Sequence, residues 1–117
     1  MLDDVMLDDL DDRALDALPF GVVCLDDHMT VVRMNRAESE ASGIQRWRAI
    51  GRDFFREVAP GPRNRTLAEA VATFTASAPP ARIPHTFPRR KGADSTTVEL
   101  HHGRSADRVY LCIRRGC

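Results

Sequence analysis

Five short apolar runs with strand character are split into a pair and a trio by a middle block of helical spacing. The pair is residues 20–26 (FGVVCLD) and 30–34 (TVVRM), joined only by Asp27, His28 and Met29. Three residues cannot carry a parallel crossover, which takes roughly a dozen or more, so the pair is an antiparallel hairpin. The trio is residues 82–87, 96–101 and 109–114, with turn-forming residues at 91–94 and 103–107 between them. Between pair and trio, Asn35 is a good N-cap and Glu38 stands three residues on, the spacing of a capping box. That helix runs to Ala41 or Ser42 and stops at Gly43. Short helical turns follow at 46–50 and 53–58, and a longer helix at 67–76 is ended by Pro79 and Pro80. The order predicts an α+β domain, a five-stranded antiparallel sheet with helices over one face.

Ahead of the hairpin, Leu2, Met6, Leu10, Ala14 and Leu18 recur at helical spacing with Asp between them, and Pro19 breaks the pattern. One or two short amphipathic helices are expected there, so residues 1–18 read as an acidic N-terminal helical cap and 19–117 as the core. The charge is split in the same place. Residues 1–18 hold seven acids and one base, while the other 99 hold ten acids and sixteen bases. The cap therefore lies on its own basic body, faces a partner, or stays solvated. Sixteen of the seventeen basic residues are Arg, as a GC-rich, bacterial genome would give.

A chain of 117 residues with 43% hydrophobic content makes one domain with a modest core. It has no apolar run near the roughly 18–20 residues that span a bilayer, and its acidic start is unlike a secretory signal. A cytoplasmic protein with no membrane contact is expected. Cys24 and Cys112 lie in strand runs and read as small buried thiols, while Cys117 ends the chain. No zinc spacing, HExxH, Walker or Ser/His/Asp pattern occurs. The basic run Arg89, Arg90, Lys91 reads as a solvated loop, so nucleic acid is not expected as a partner.

The segments 15–26 (LDALPFGVVCLD), 32–43 (VRMNRAESEASG) and 50–60 (IGRDFFREVAP) resemble the photoactive yellow protein family of PAS domains, and the element order is the PAS order. The resemblance covers about 100 residues and implies the PAS fold with an N-terminal helical cap packed across the sheet. In that family a cysteine directly after the Val-Ala-Pro step carries a p-coumaroyl thioester. Here Gly61 stands at that position, which excludes the attachment. The family's Glu that bonds the chromophore matches Glu38, its supporting Thr is Ser42, its Tyr is Met34 and its Arg is Ile44. Half of the polar clamp is thus kept and half is apolar.

The ligand-contact candidates are Glu38, Ser42, Met34, Phe54, Phe55 and His102. Glu38 either completes the capping box or donates to a ligand oxygen from a desolvated site. Ser42 either donates to the same ligand or bonds within its own helix. Met34 is core filler or an axial haem ligand, since some PAS domains bind haem. His102 shares strand parity with Val98 and Leu100, the expected core face, and is either a haem or ligand contact or an edge histidine bonded to backbone. Trp47, Phe54, Phe55, Phe74 and Phe87 are expected in the core or the pocket wall. The resemblance implies a non-photoactive sensory module that binds a small non-covalent ligand or a protein partner. With no room for an output domain in 117 residues, it would act through that partner or a homodimer, unless it is a fragment of a larger protein. Two alternatives stand beside it: a ligand-free interaction scaffold, and a cavity enzyme with Glu38 as its acid–base group.

Overall fold

A computed structural model describes residues 7–60, 64–74, 79–89, 92–104 and 107–115, without the side chains of 85–89 and 92–95. The chain opens with a 3₁₀ turn at Leu7–Asp9 and helix α1 at Asp12–Asp16, two short helical pieces where the spacing predicts them. Then come β1 (Gly21–Leu25), β2 (Val31–Met34), α2 (Arg36–Ser42), α3 (Arg46–Ala49), a π-helical turn (Phe54–Val58) and α4 (Arg65–Ala72). Strands β3 (Ala81–Arg89), β4 (Gly92–His102) and β5 (Val109–Arg115) close the fold. The five strands form one antiparallel sheet in the order β2-β1-β5-β4-β3.

Local chemistry explains the ends of these elements. Asp26 accepts from the N–H groups of His28 and Thr30 and shapes the hairpin turn, where Met29 takes a positive φ of 65°. Asn35 caps α2 and Gly43 ends it in the left-handed region, φ 78°. Asp53 caps the π turn through the N–H groups of Phe55 and Arg56, and Glu57 reaches back to the N–H of Asp53. The sequence predicts a helix at 53–58 without showing its wider hydrogen-bond pattern, in which Ala59 N–H donates to Phe54 C=O at 2.7 Å.

Strands β3 and β4 are longer than their apolar runs, and only residues 90 and 91 separate them. Gly92, Ala93 and Asp94, expected in the turn, belong to β4. Pro84 and Pro88 interrupt the apolar pattern of β3, but β3 is an edge strand, where a residue without an N–H costs no ladder bond on the open side. Helix α4 runs from Arg65 and buries Leu67 and Val71, one turn apart.

The sheet is covered on both faces. On one face Val23, Leu25, Met34, Val98, Leu100, Leu111 and Ile113 pack with Ala49, Phe54, Leu67 and Val71 from the helices, forming the main core. On the other, Leu7 and Leu15 pack over Val22, Cys24, Tyr110 and Cys112. The parity of β1 and β5 thus sorts alternate residues between two clusters. Trp47 departs from expectation. It is 70% exposed, because four-residue α3 turns only Ala49 inward and a residue two positions away lies on the opposite side.

The acidic N-terminal segment lies on its own basic body. Arg33 donates to the carbonyls of Leu7 and Leu10 and to the Tyr110 hydroxyl, and pairs with Asp12. Asp8 accepts from the Tyr110 hydroxyl and from Arg104 N–H. Asp16 accepts from Arg36 N–H and pairs with Arg46. Gly103 belongs to this contact, since a Cβ there would lie 2.7 Å from the Arg108 Cβ and 3.0 Å from a carboxylate oxygen of Asp8. Burial raises the Asp8 pKa, but the hydrogen bonds from Arg104 and Tyr110 and the charges of Arg33 and Arg104 outweigh it and hold the carboxyl below its usual range. A depressed carboxylate stabilises the contact above its unfolded pKa and loses that contribution as pH falls through the folded value.

This sign yields a prediction. Cys24 and Cys112 lie beneath the segment, with burial pushing their thiols up to about 11 and about 12. In a Cys117→Ser chain, the rate at which 4,4′-dithiodipyridine labels both, divided by the rate for the urea-unfolded chain at the same pH, should be low near about pH 6 and higher near about pH 3, with the sheet still folded by circular dichroism. Equal ratios at the two pH values would refute an acid-labile seal.

Candidate functional site

The site is built outward from Asn35, the fully buried residue between β2 and α2. Its side-chain oxygen accepts from Val22 N–H at 2.9 Å and from Glu38 N–H at 3.1 Å. Its amide donates to the carbonyls of Leu15 at 2.9 Å and Phe20 at 3.0 Å. One side chain therefore ties the start of α2 to β1 and to the end of the N-terminal segment. All four of its hydrogen-bonding positions are used.

Glu38 sits one turn into α2 with its side chain only 6% exposed. It does not complete the capping box, for Asn35 N–H donates instead to Val22 C=O. Its carboxylate turns to the end of β5, where Arg115 Nη1 donates to Oε1 at 2.8 Å and Nη2 to Oε2 at 3.3 Å. This is a two-pronged guanidinium–carboxylate pair. Burial pushes the Glu38 carboxyl above its ordinary range, and the hydrogen bond and charge of Arg115 oppose that without cancelling it. Gly21 makes room for the pair, because a Cβ there would lie 2.2 Å from Glu38 Oε1. A groove of about 370 Å³ opens beside it, between Phe20, the Ala37 and Ala41 face of α2, and Ile113 to Arg115.

The other candidates fall into separate places. Met34 is 3% exposed and Phe54 2%, both in the main core, with Phe55 edge-on to Phe54 at 4.9 Å between ring centres. His102 does share the core face of β4 and stacks on Phe74 at 4.1 Å. Ser42 is exposed and its hydroxyl accepts from Ile44 N–H at 3.2 Å. It is turned away from any shared contact with Glu38, because the last turn of α2 faces solvent there. The structure thus groups Met34, Phe54 and Phe55, brings His102 to the same core through Phe74, and places Glu38 at Arg115 and Ser42 in solvent. Among the described residues, no three His, Cys, Asp or Glu side chains gather as a metal site would require. No helix among them is long and apolar enough to cross a membrane.

Arg115 was not among the sequence candidates, although a signal for it exists. It shares strand parity with Leu111 and Ile113, so an Arg at a core-facing position called for a buried acid. The sequence marks Asn35 only as a cap.

Comparison with known proteins agrees with this architecture. The profile of the PAS fold family matches residues 15–112, most of the chain. The chain belongs to the PAS family. Within it, this PAS domain is similar to the photoactive yellow protein domain of the sensor histidine kinase Ppr from Rhodospirillum centenum. The two are 30% identical with a TM-score of 0.76, over 92% of this chain and 95% of that one. Photoactive yellow protein from Rhodothalassium salexigens is 38% identical over 52 residues, which are 44% of this chain and 42% of that protein. The protein of the same name from Rhodobacter capsulatus is 44% identical over 45 residues, 38% of this chain and 36% of its own length. The matched stretch thus spans about two fifths of these curated relatives. The PAS domain of the RpfR quorum-sensing receptor from Cronobacter turicensis, solved in complex with C12:0, shares the fold at 18% identity and a TM-score of 0.73. This chain is a PAS domain of the photoactive yellow protein type, and PAS domains are sensory and signalling modules. Gly61, at the family's chromophore position, lies outside the described residues, and it has no thiol to form a thioester.

Proposed function

We propose that this PAS domain senses at the Glu38–Arg115 pair and reports through its N-terminal segment to a protein partner or a second copy of itself. The observation that carries the reading is the bonding of Asn35. It holds the first turn of the helix bearing Glu38 with one end and the carbonyls of Leu15 and Phe20 with the other. A shift of α2 that follows a change at Glu38 therefore strains the anchor of the N-terminal segment. Asp16 adds a second tie to the same helix end through Arg36 N–H. Residues 1–18 then act as a detachable cap and 19–117 as the sensing core. Ligand binding is within the reach of the fold, as the RpfR domain solved with C12:0 illustrates. Among the described residues, Met34 and Phe54 pack in the main core, while Arg115 lines an open groove.

The test uses the buried thiols as reporters in a Cys117→Ser chain. Glu38→Gln removes the charge of the pair and keeps the side chain's size. It should raise the labelling rate of Cys24 and Cys112 several-fold while the fold stays intact by circular dichroism. Asn35→Asp keeps the two accepted bonds and loses the two donated ones, so it should open the segment whatever the state of Glu38. Faster labelling in Asn35→Asp with none in Glu38→Gln would refute sensing at the pair.

A further inference from the structure

The groove has a definite chemistry. Its walls are apolar at Phe20, Ala37, Ala41 and Ile113, and its charged groups are Arg114 and Arg115. Ala37 and Ala41 stand one helical turn apart, so two small side chains on one face of α2 leave the space open. Its volume of about 370 Å³ is at the small end of small-molecule sites. Arg114 lies over the Phe20 ring at 4.1 Å and pairs with Glu99 at 3.4 Å. Arg115 presents its fork to Glu38. The carboxylate that Arg115 holds behind the groove wall is therefore a side chain of the protein itself, held as a ligand carboxylate would be.

We infer that the groove takes a monocarboxylate with a short apolar body, which displaces Glu38 from Arg115 while Glu38 takes up one proton from solvent. This deepens the sensory reading above and rests on it. The exchange balances, because one anion and one proton enter, the guanidinium keeps a carboxylate partner, and Glu38 becomes a neutral acid. A buried acid without a cation favours its neutral form, and burial already pushes Glu38 that way. Among the described residues, strand β5 presents Arg115 and, along the rim, Arg114, and β1 presents Gly21. On α2 itself, Arg36 and Glu40 pair with each other in solvent. The need to take up a proton makes binding weaken as pH rises, by up to about tenfold per unit once Glu38 is ionised.

Isothermal calorimetry with sodium octanoate on the full chain tests this. Octanoate should bind and octan-1-ol should not, and heats in two buffers of different ionisation enthalpy should give one proton taken up per octanoate. Glu38→Gln removes the internal competitor, so at about pH 8 it should bind octanoate at least about tenfold more tightly and without pH dependence. Glu38→Gln with Arg115→Gln leaves no buried charge to destabilise the fold, and it should not bind. Equal binding of octanol, or no gain in Glu38→Gln, or no octanoate binding in either protein overturns the inference. If octanoate fails while Glu38→Gln still speeds thiol labelling, the ligand class falls and the sensory reading stands. If labelling does not change, the sensory reading falls whatever the calorimetry shows.

Discussion

Arg115→Ala should lower the stability of this PAS domain by about 3 kcal/mol, among the largest effects of any surface-connected residue in it. Arg115 is only 14% exposed and Glu38 6%, so removing the guanidinium leaves a carboxylate buried without a cation. The partner escapes by binding a proton, which gives the loss a pH dependence of known sign. A carboxyl whose folded pKa is raised stabilises the fold at low pH and loses that contribution as pH rises through the folded value. The deficit of Arg115→Ala against the wild type should therefore be smaller near about pH 5 than near about pH 8 in urea titrations. Replacing both partners by apolar residues, Glu38→Leu with Arg115→Met, should recover most of the loss. A pair replaced together without recovery, or a deficit that grows as pH falls, would contradict the buried ion pair.

Asn35→Ala should cost about 3–4 kcal/mol, or roughly 10–15 °C in midpoint temperature. The residue is fully buried, and its loss strands two N–H groups, of Val22 and Glu38, and two carbonyls, of Leu15 and Phe20. Loss of the helix cap alone accounts for about 1 kcal/mol, and the rest comes from the other stranded groups. Asn35→Asp should recover part of this, since a carboxylate still accepts from both N–H groups but repels the two carbonyls. Thermal unfolding followed by circular dichroism ranks the three proteins. A cost near 1 kcal/mol for Asn35→Ala would mean that Asn35 is only a cap.

Much of the fold was legible because it rests on local rules. The hairpin, the Asn35 and Gly43 ends of α2, and the core parity of Val98, Leu100 and His102 follow from turn chemistry and period. One local signal misleads for a tertiary reason: Trp47 looks like core until α3 is seen to offer only Ala49 inward. Ser42 matches a family position by its number in the helix, but the turn it occupies faces solvent.

The candidate site shows the same division. Glu38 was visible as an acid in a patterned helix, and its two readings, cap or clamp, could not be separated by spacing. Arg115 lies 77 residues away in sequence, and only the β1–β5 pairing of Gly21 with Ile113 brings it to Glu38. By itself, then, the sequence determined the element order, the two-faced strands, the missing thiol at Gly61 and the acidic character of the N-terminal segment, because each depends on residue type and local period. Only the tertiary structure decided where that acidic segment lies and what Glu38 binds. Both depend on long-range contacts, which no local pattern encodes: Arg33, Arg46 and Arg104 meet the acids of residues 8–16, and β5 carries Arg115 under Gly21.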